Sequence, residues 1–140
     1  TITQHDAETR AVPPRYDAAK IALTFADRQD LYARIDRRVD IMMQQGLLDE
    51  VRALLAAGIP ADCTAMQAIG YKEAVSAVRG EETAQEAADA IRLASRQYAK
   101  RQLTWLRRDA QLFWLRHEKT PDMDLACRRS TQFLAGRGIE

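Results

Sequence analysis

S-R-Q-Y-A-K-R-Q-L-T-W-L-R-R, residues Ser95 to Arg108, is the stretch on which the fold of this 140-residue chain turns. Neither it nor the sequence leading into it from Thr83 contains Gly or Pro. Thr83 to Glu86, T-A-Q-E, is a capping box: the Thr side chain accepts from the backbone three residues on, and the Glu reaches back to the Thr N–H. A long helix therefore starts near Ala84. Ile91, Tyr98 and Trp105 recur along it every seven residues, with Ala94 and Leu106 beside them. At about 100° per residue these share one arc, which is predicted to pack on a core.

The charge of this helix is one-sided. From Arg92 to Arg108 there are six Lys or Arg and no Asp or Glu, although the whole chain nets only +1. The remaining residues carry 15 cations against 20 carboxylates, a net of −5. One basic element on an acidic body points to a polyanionic partner, and the alternative is a solvated charged face. Arg92, Arg96, Lys100 and Arg107 fall within about 80° of one another, while Arg101 and Arg108 form a second ridge. Like charges at i,i+4 repel, and no acid inside the segment relieves them. Gln97, Gln102 and Thr104 add groups able to reach phosphates or base edges.

Working outward, residues 1–18 are polar, carry Pro13-Pro14 and read as a linker. Lys20 to Phe25, K-I-A-L-T-F, reads as a strand buried on both faces, as in a parallel sheet. No clear partner strand surrounds it, so it is expected to pair with missing sequence or with another chain. Asp27 caps a helix running to Gln45 and stopped by Gly46, with Leu31, Ile35, Val39 and Met42 as its buried stripe. Leu48, Val51 and Leu55 define a short helix ended by Gly58 and Pro60. Thr64 opens a further helix through Ala74 and Val78. Leu112 to Leu115 is a second strand candidate, and Asp122 starts a terminal helix through Phe133. The fold class is mainly α, a helical bundle with one or two short strands, with 19–116 as the main body and 117–140 as a C-terminal tail.

Within the first helix, Arg34 has Asp30 four residues back and Arg37 has Asp40 three residues on. Arg38 has no local carboxylate and lies at the edge of the buried stripe. It is a candidate anion ligand, because its fork matches phosphate oxygens. Pairing with a distant acid or a snorkelled side chain is the other outcome. Gly70, in Q-A-I-G-Y-K-E, marks either a close approach of backbone or ligand, or a helix boundary.

Composition excludes several classes. No apolar run approaches a membrane span. The polar start from Thr1 has no signal-peptide pattern and no Met, as expected for a fragment. Cys63 and Cys127 are far apart, which suits reduced thiols in the cytoplasm. His5 and His117 are isolated, so neither a metal site nor a catalytic residue is nominated.

Four blocks carry a resemblance: L-Y-A-R-I-D-R-R-V-D-I-M from Leu31, G-L-L-D-E-V-R-A-L-L from Gly46, A-M-Q-A-I-G-Y-K-E from Ala65, and R-Q-Y-A-K-R-Q-L-T-W-L-R from Arg96. In this order and spacing they resemble the tRNA dimethylallyltransferase (tRNA isopentenyltransferase) family over roughly Thr24 to Leu115. The resemblance implies an ATP-binding (nucleotide-binding) type of transferase acting in tRNA modification. Such a prenyltransferase moves a dimethylallyl group from dimethylallyl diphosphate to the N6 amine of the adenosine 3′ of the anticodon. It implies that Arg38 binds the diphosphate. It implies that Asp62, Cys63, Thr64, Ala65, Met66 and Gln67, and Ser95, Arg96, Gln97, Tyr98, Ala99, Lys100, Arg101 and Gln102, bind the tRNA anticodon stem-loop. Gln67 stands where some members carry arginine. Leu106 stands where many carry phenylalanine, which reads as a core swap.

The family's phosphate-binding loop, G-x-x-x-x-G-K-[ST], is absent, since no glycine here is followed by Lys. The resemblance thus implies the C-terminal part of a P-loop-type α/β transferase, and it offers the end of a tRNA-binding insertion as the alternative to a linker for residues 1–18. The catalytic base and the Mg²⁺ ligands would belong to the missing N-terminal P-loop half, leaving this part inactive alone. A stand-alone helical RNA-binding module without catalysis is the alternative.

Overall fold

The computed structural model describes residues 16–139. The expected linker over 1–18 therefore lies, up to residue 15, outside the described residues. The chain forms β1 (Ile21–Phe25), α1 (Arg28–Gln44), α2 (Leu47–Ala56), a 3₁₀ turn (Thr64–Gln67), α3 (Tyr71–Val78), α4 (Ala84–Leu106), β2 (Phe113–His117) and α5 (Met123–Ala135). The mainly helical class with two short strands is what the sequence predicts. No helix among the described residues is long and apolar enough to cross a membrane.

The expected orphan strand has a partner. β1 pairs in parallel with β2, with Ile21 opposite Phe113 and Phe25 opposite His117. Residues 26–112, which hold α1 to α4, connect the two strands, the long crossover a parallel pair requires. Lys20 Nζ donates to Asp109 Oδ2 at 2.7 Å and ties the start of β1 to the turn before β2. Burial of β1 on both faces does not hold. Leu23 lies opposite Leu115, so both point to one face, yet Leu115 is buried and Leu23 is 55% exposed. The cover stops between the strands, because among the described residues β1 has a neighbour on one side only.

Local chemistry starts and stops the helices as expected. Asp27 accepts from the Gln29 N–H at 2.8 Å at the head of α1, and Asp122 accepts from the Leu125 N–H at 2.8 Å at the head of α5. Thr83 and Glu86 close the capping box of α4, with the Thr83 N–H to Glu86 Oε2 at 2.7 Å. The helix expected to run unbroken from Thr64 is two pieces. Gly70 has φ +105°, a conformation that L side chains avoid, and its N–H donates to Glu73 Oε2 at 2.8 Å. The chain turns there, so Gly70 marks a helix boundary.

The core gathers Val39 of α1, Leu47 and Val51 of α2, Met66 of the 3₁₀ turn, Ala74 and Val75 of α3, and Ala88 and Ile91 of α4. It covers only the first half of α4. Ile91 is buried, but Tyr98 is 49% and Trp105 70% exposed, so the expected packing of both aromatics fails. The bundle ends before them, and each seven-residue step drifts about 20° round the helix.

Candidate nucleic-acid interface

The second half of α4 leaves the bundle with its cations only partly neutralised. Arg92 donates to Asp89 one turn back and to Asp40 on α1. Arg96 grips Asp36 on α1 with both prongs of its fork, Nε reaching Oδ1 at 2.8 Å, and its guanidinium lies 5.6 Å from the Tyr32 ring centroid. The hydrogen bond from Arg96 to Asp36 is the main cause of a raised guanidinium pKa, with the Asp36 charge acting in the same direction. The expected absence of relief for these charges is corrected: Asp36 and Asp40 come from α1, a facing helix, and Asp89 from the turn of α4 just before the basic segment. The same pairings overturn the local partners read along α1, since Asp40 turns to Arg92 and not to Arg37. Lys100, Arg101, Arg107 and Arg108 are exposed and have no ion-pair partner among the described residues. Arg101 lies 5.8 Å from the centroid of the Tyr98 ring, giving a cation beside an exposed aromatic.

Between α1, the 3₁₀ turn and α4 runs an apolar-floored groove of about 770 Å³. Arg34 and Arg38 of α1, Gln67 at the end of the turn, and Ser95 and Tyr98 of α4 reach it, with Ile91 and Val39 in its floor. Arg38 is exposed and has no carboxylate partner among the described residues, so pairing with a distant acid does not occur there, and its charged end stays open to solvent beside the apolar groove. It also lines an adjoining recess of about 310 Å³ with Gly70 and Tyr71. The Tyr71 hydroxyl donates to Glu50 at this recess, and that bond is the first cause of its raised pKa.

The groove thus brings Arg38, Gln67, Ser95 and Tyr98 together from three separated segments. Gln67 is held by its Nε2, which donates to the Ala61 carbonyl at 3.1 Å. Asp62, Thr64 and Ala65 lie exposed along the turn, while Cys63 is half-buried. Met66, at 1% exposure, anchors the turn to the core. Gln97, Lys100 and Gln102 are exposed on α4, and Ala99 is half-buried. Half-buried Leu106 lies with Leu103 in a third cavity of about 490 Å³ beneath Leu23. Arg34 was not among the expected site residues, because Asp30 at i−4 suggested a local pair; no such pair forms. Its phase four residues before Arg38 was the available signal. No group of His, Cys, Asp and Glu among the described residues could hold a metal ion.

Comparisons with known proteins agree with this architecture. A family model described as IPP transferase matches residues 1–109. The tRNA dimethylallyltransferase of Acetivibrio thermocellus is 38% identical over 138 residues, covering 99% of this chain and 44% of that protein. The one of Bacillus subtilis is 42% identical over 139 residues, covering 98% and 43%. The crystal structure of a tRNA isopentenylpyrophosphate transferase from Bacillus halodurans superposes with a TM-score of 0.81 at 39% identity, over 96% of this chain and 44% of that one. The chain thus spans less than half the length of the relatives it matches.

Proposed function

Since the chain belongs to the IPP transferase family, we propose that it is the C-terminal, tRNA-holding part of a cytoplasmic tRNA dimethylallyltransferase. The observation that carries this is the groove in which unpaired Arg38 meets Gln67, Ser95 and Tyr98. Lys100 and Arg101 hold phosphates of the anticodon stem-loop beside it, fixing position without reading sequence. The adenosine 3′ of the anticodon leaves its stack and enters the groove, where Tyr98 offers a stacking face. Its N6 amine forms a bond to the first carbon of dimethylallyl diphosphate as the bond from that carbon to the diphosphate oxygen breaks. Charge grows on the leaving oxygens, and Arg38 stabilises it. The proton from the amine passes to a base outside these residues.

The exposed Leu23 and the unpaired outer edge of β1 support the presence of a further part of the protein, carrying the phosphate-binding loop, packed on this face. The residues described here form no ligand set for Mg²⁺, so its ligands would belong to that further part. The test is transfer of a labelled dimethylallyl group to an anticodon stem-loop RNA by the intact protein. Arg38→Gln is expected to slow transfer by about 10²-fold or more with RNA affinity unchanged. Full transfer activity in that variant removes Arg38 from the reaction, and absence of both transfer and RNA binding in the unaltered protein rejects the function.

A further inference from the structure

Leu31 lines the groove, the cavity beneath Leu23 and a third, smaller recess, so the three adjoin along α1. The small recess, of about 180 Å³, lies at the carboxyl ends of the two strands and is unlike the others. Three arginines line it, Arg28, Arg107 and Arg116, together with Thr24 and Trp114. They arrive from distant places in sequence: the first residue of α1, the end of α4 and the fourth residue of β2. All three are exposed, and none of their side chains has a hydrogen-bond or ion-pair partner among the described residues. Of the acids close to them in sequence two are engaged, while Asp30 and Glu118 form no ion pair with the three. Asp27 caps α1 through the Gln29 N–H, and Asp109 accepts from Lys20 and from the Gln111 N–H at 3.0 Å.

Three like charges around one recess repel one another, and no described carboxylate pairs directly with any of them. An anion placed among them does. Guanidinium forks suit phosphate oxygens, the Thr24 hydroxyl adds a donor, and open parallel sheets take ligands outside the carboxyl ends of their strands. Arg28 and Arg38 are ten residues apart on α1, about 15 Å along its axis. A diphosphate held at Arg38 does not span that distance, whereas an RNA backbone held at Lys100 and Arg101 reaches Arg107, seven residues further on at the end of the same helix, about 10 Å along its axis.

We propose that Arg28, Arg107 and Arg116 form a second phosphate site that holds a backbone phosphate of the RNA, at the opposite end of the trough from Arg38. This rests on the tRNA-binding function proposed above. A free diphosphate has the same phosphate chemistry, and the experiment separates the two sources.

Arg28→Gln, Arg107→Gln and Arg116→Gln are made in the intact protein, with Arg→Lys at each position as a charge-keeping control. Anticodon stem-loop affinity is measured across a salt series, inorganic diphosphate affinity by calorimetry, and folding by thermal melting. Each Gln variant is expected to reduce the slope of log K against log salt by about one, the Lys variants to retain it, and diphosphate affinity to stay unchanged. Loss of diphosphate affinity with an intact RNA slope overturns the RNA assignment in favour of the free anion. No change in either, while Lys100→Gln lowers the RNA slope, overturns the site itself. If the unaltered protein binds no RNA, the tRNA function fails, and the diphosphate arm alone decides whether the three arginines bind phosphate.

Discussion

Arg96 on α4 and Asp36 on α1, sixty residues apart in sequence, form a two-pronged pair with Arg96 Nε reaching Asp36 Oδ1 at 2.8 Å. The pair divides the basic helix in two. Arg92 and Arg96 fasten it to α1 through Asp40 and Asp36, while Lys100 and Arg101 are left for a partner.

Arg96 should therefore cost less RNA affinity when neutralised than Lys100 does. Lys100→Gln is expected to lower the salt slope of tRNA binding by about one, and Arg96→Gln by clearly less. A double-mutant cycle on Asp36 and Arg96 should give a coupling of about 0.5–1 kcal/mol, small because both side chains are part-solvated. Equal slopes for the two variants would return Arg96 to the phosphate-binding set.

Met66 and Trp105 should behave in opposite ways on truncation. Met66→Ala empties a site 1% exposed and is expected to cost about 2–5 kcal/mol in a denaturant melt. Trp105→Ala removes a side chain 70% exposed and should stay within about 0.5 kcal/mol. A large loss at Trp105 would mean that a further part of the protein covers it.

Gly70→Ala is expected to lower stability by about 1–2 kcal/mol, from the positive φ and not from crowding. A Cβ there meets only Met42 Cε, at 3.5 Å. Gly136, at φ −63°, is the control, and Ala there should be neutral or slightly stabilising. Similar melting shifts for the two would refute the conformational cause.

Acid should loosen the link between β1 and the turn before β2. The hydrogen bond from Lys20, then that from the Gln111 N–H, holds the Asp109 carboxyl below its ordinary value. A lowered folded pKa contributes stability that is present above the unfolded value, near pH 3.9, and lost as pH falls through the folded one. Melting temperature measured from pH 6 down to 3 should fall less steeply in Asp109→Asn than in the unaltered protein. Parallel curves would exclude the contribution.

The helices and their ends were legible in the sequence, because a helix is written in contacts three and four residues apart. Asp27, Asp122 and the Thr83–Glu86 box each act on backbone within one turn. The basic run and the lack of a local acid for Arg38 were visible for the same reason. The break at Gly70 was visible only as a glycine out of place, since its φ depends on how the 3₁₀ turn and α3 meet.

Tertiary structure alone decided which charges survive and which aromatics are covered. Asp36 and Asp40 meet Arg96 and Arg92 because α1 lies against α4, and that crossing is set by the packing of Val39 and Ile91 in a shared core. Tyr98 continues the phase of Ile91 but stands in solvent, because phase fixes a direction and not the presence of a neighbour. The pairing of β1 with β2, and the gathering of Arg28, Arg107 and Arg116 round one recess, arise from the same long-range closure. No spacing along the chain encodes it, since the free energy of closure lies in contacts between residues far apart in sequence.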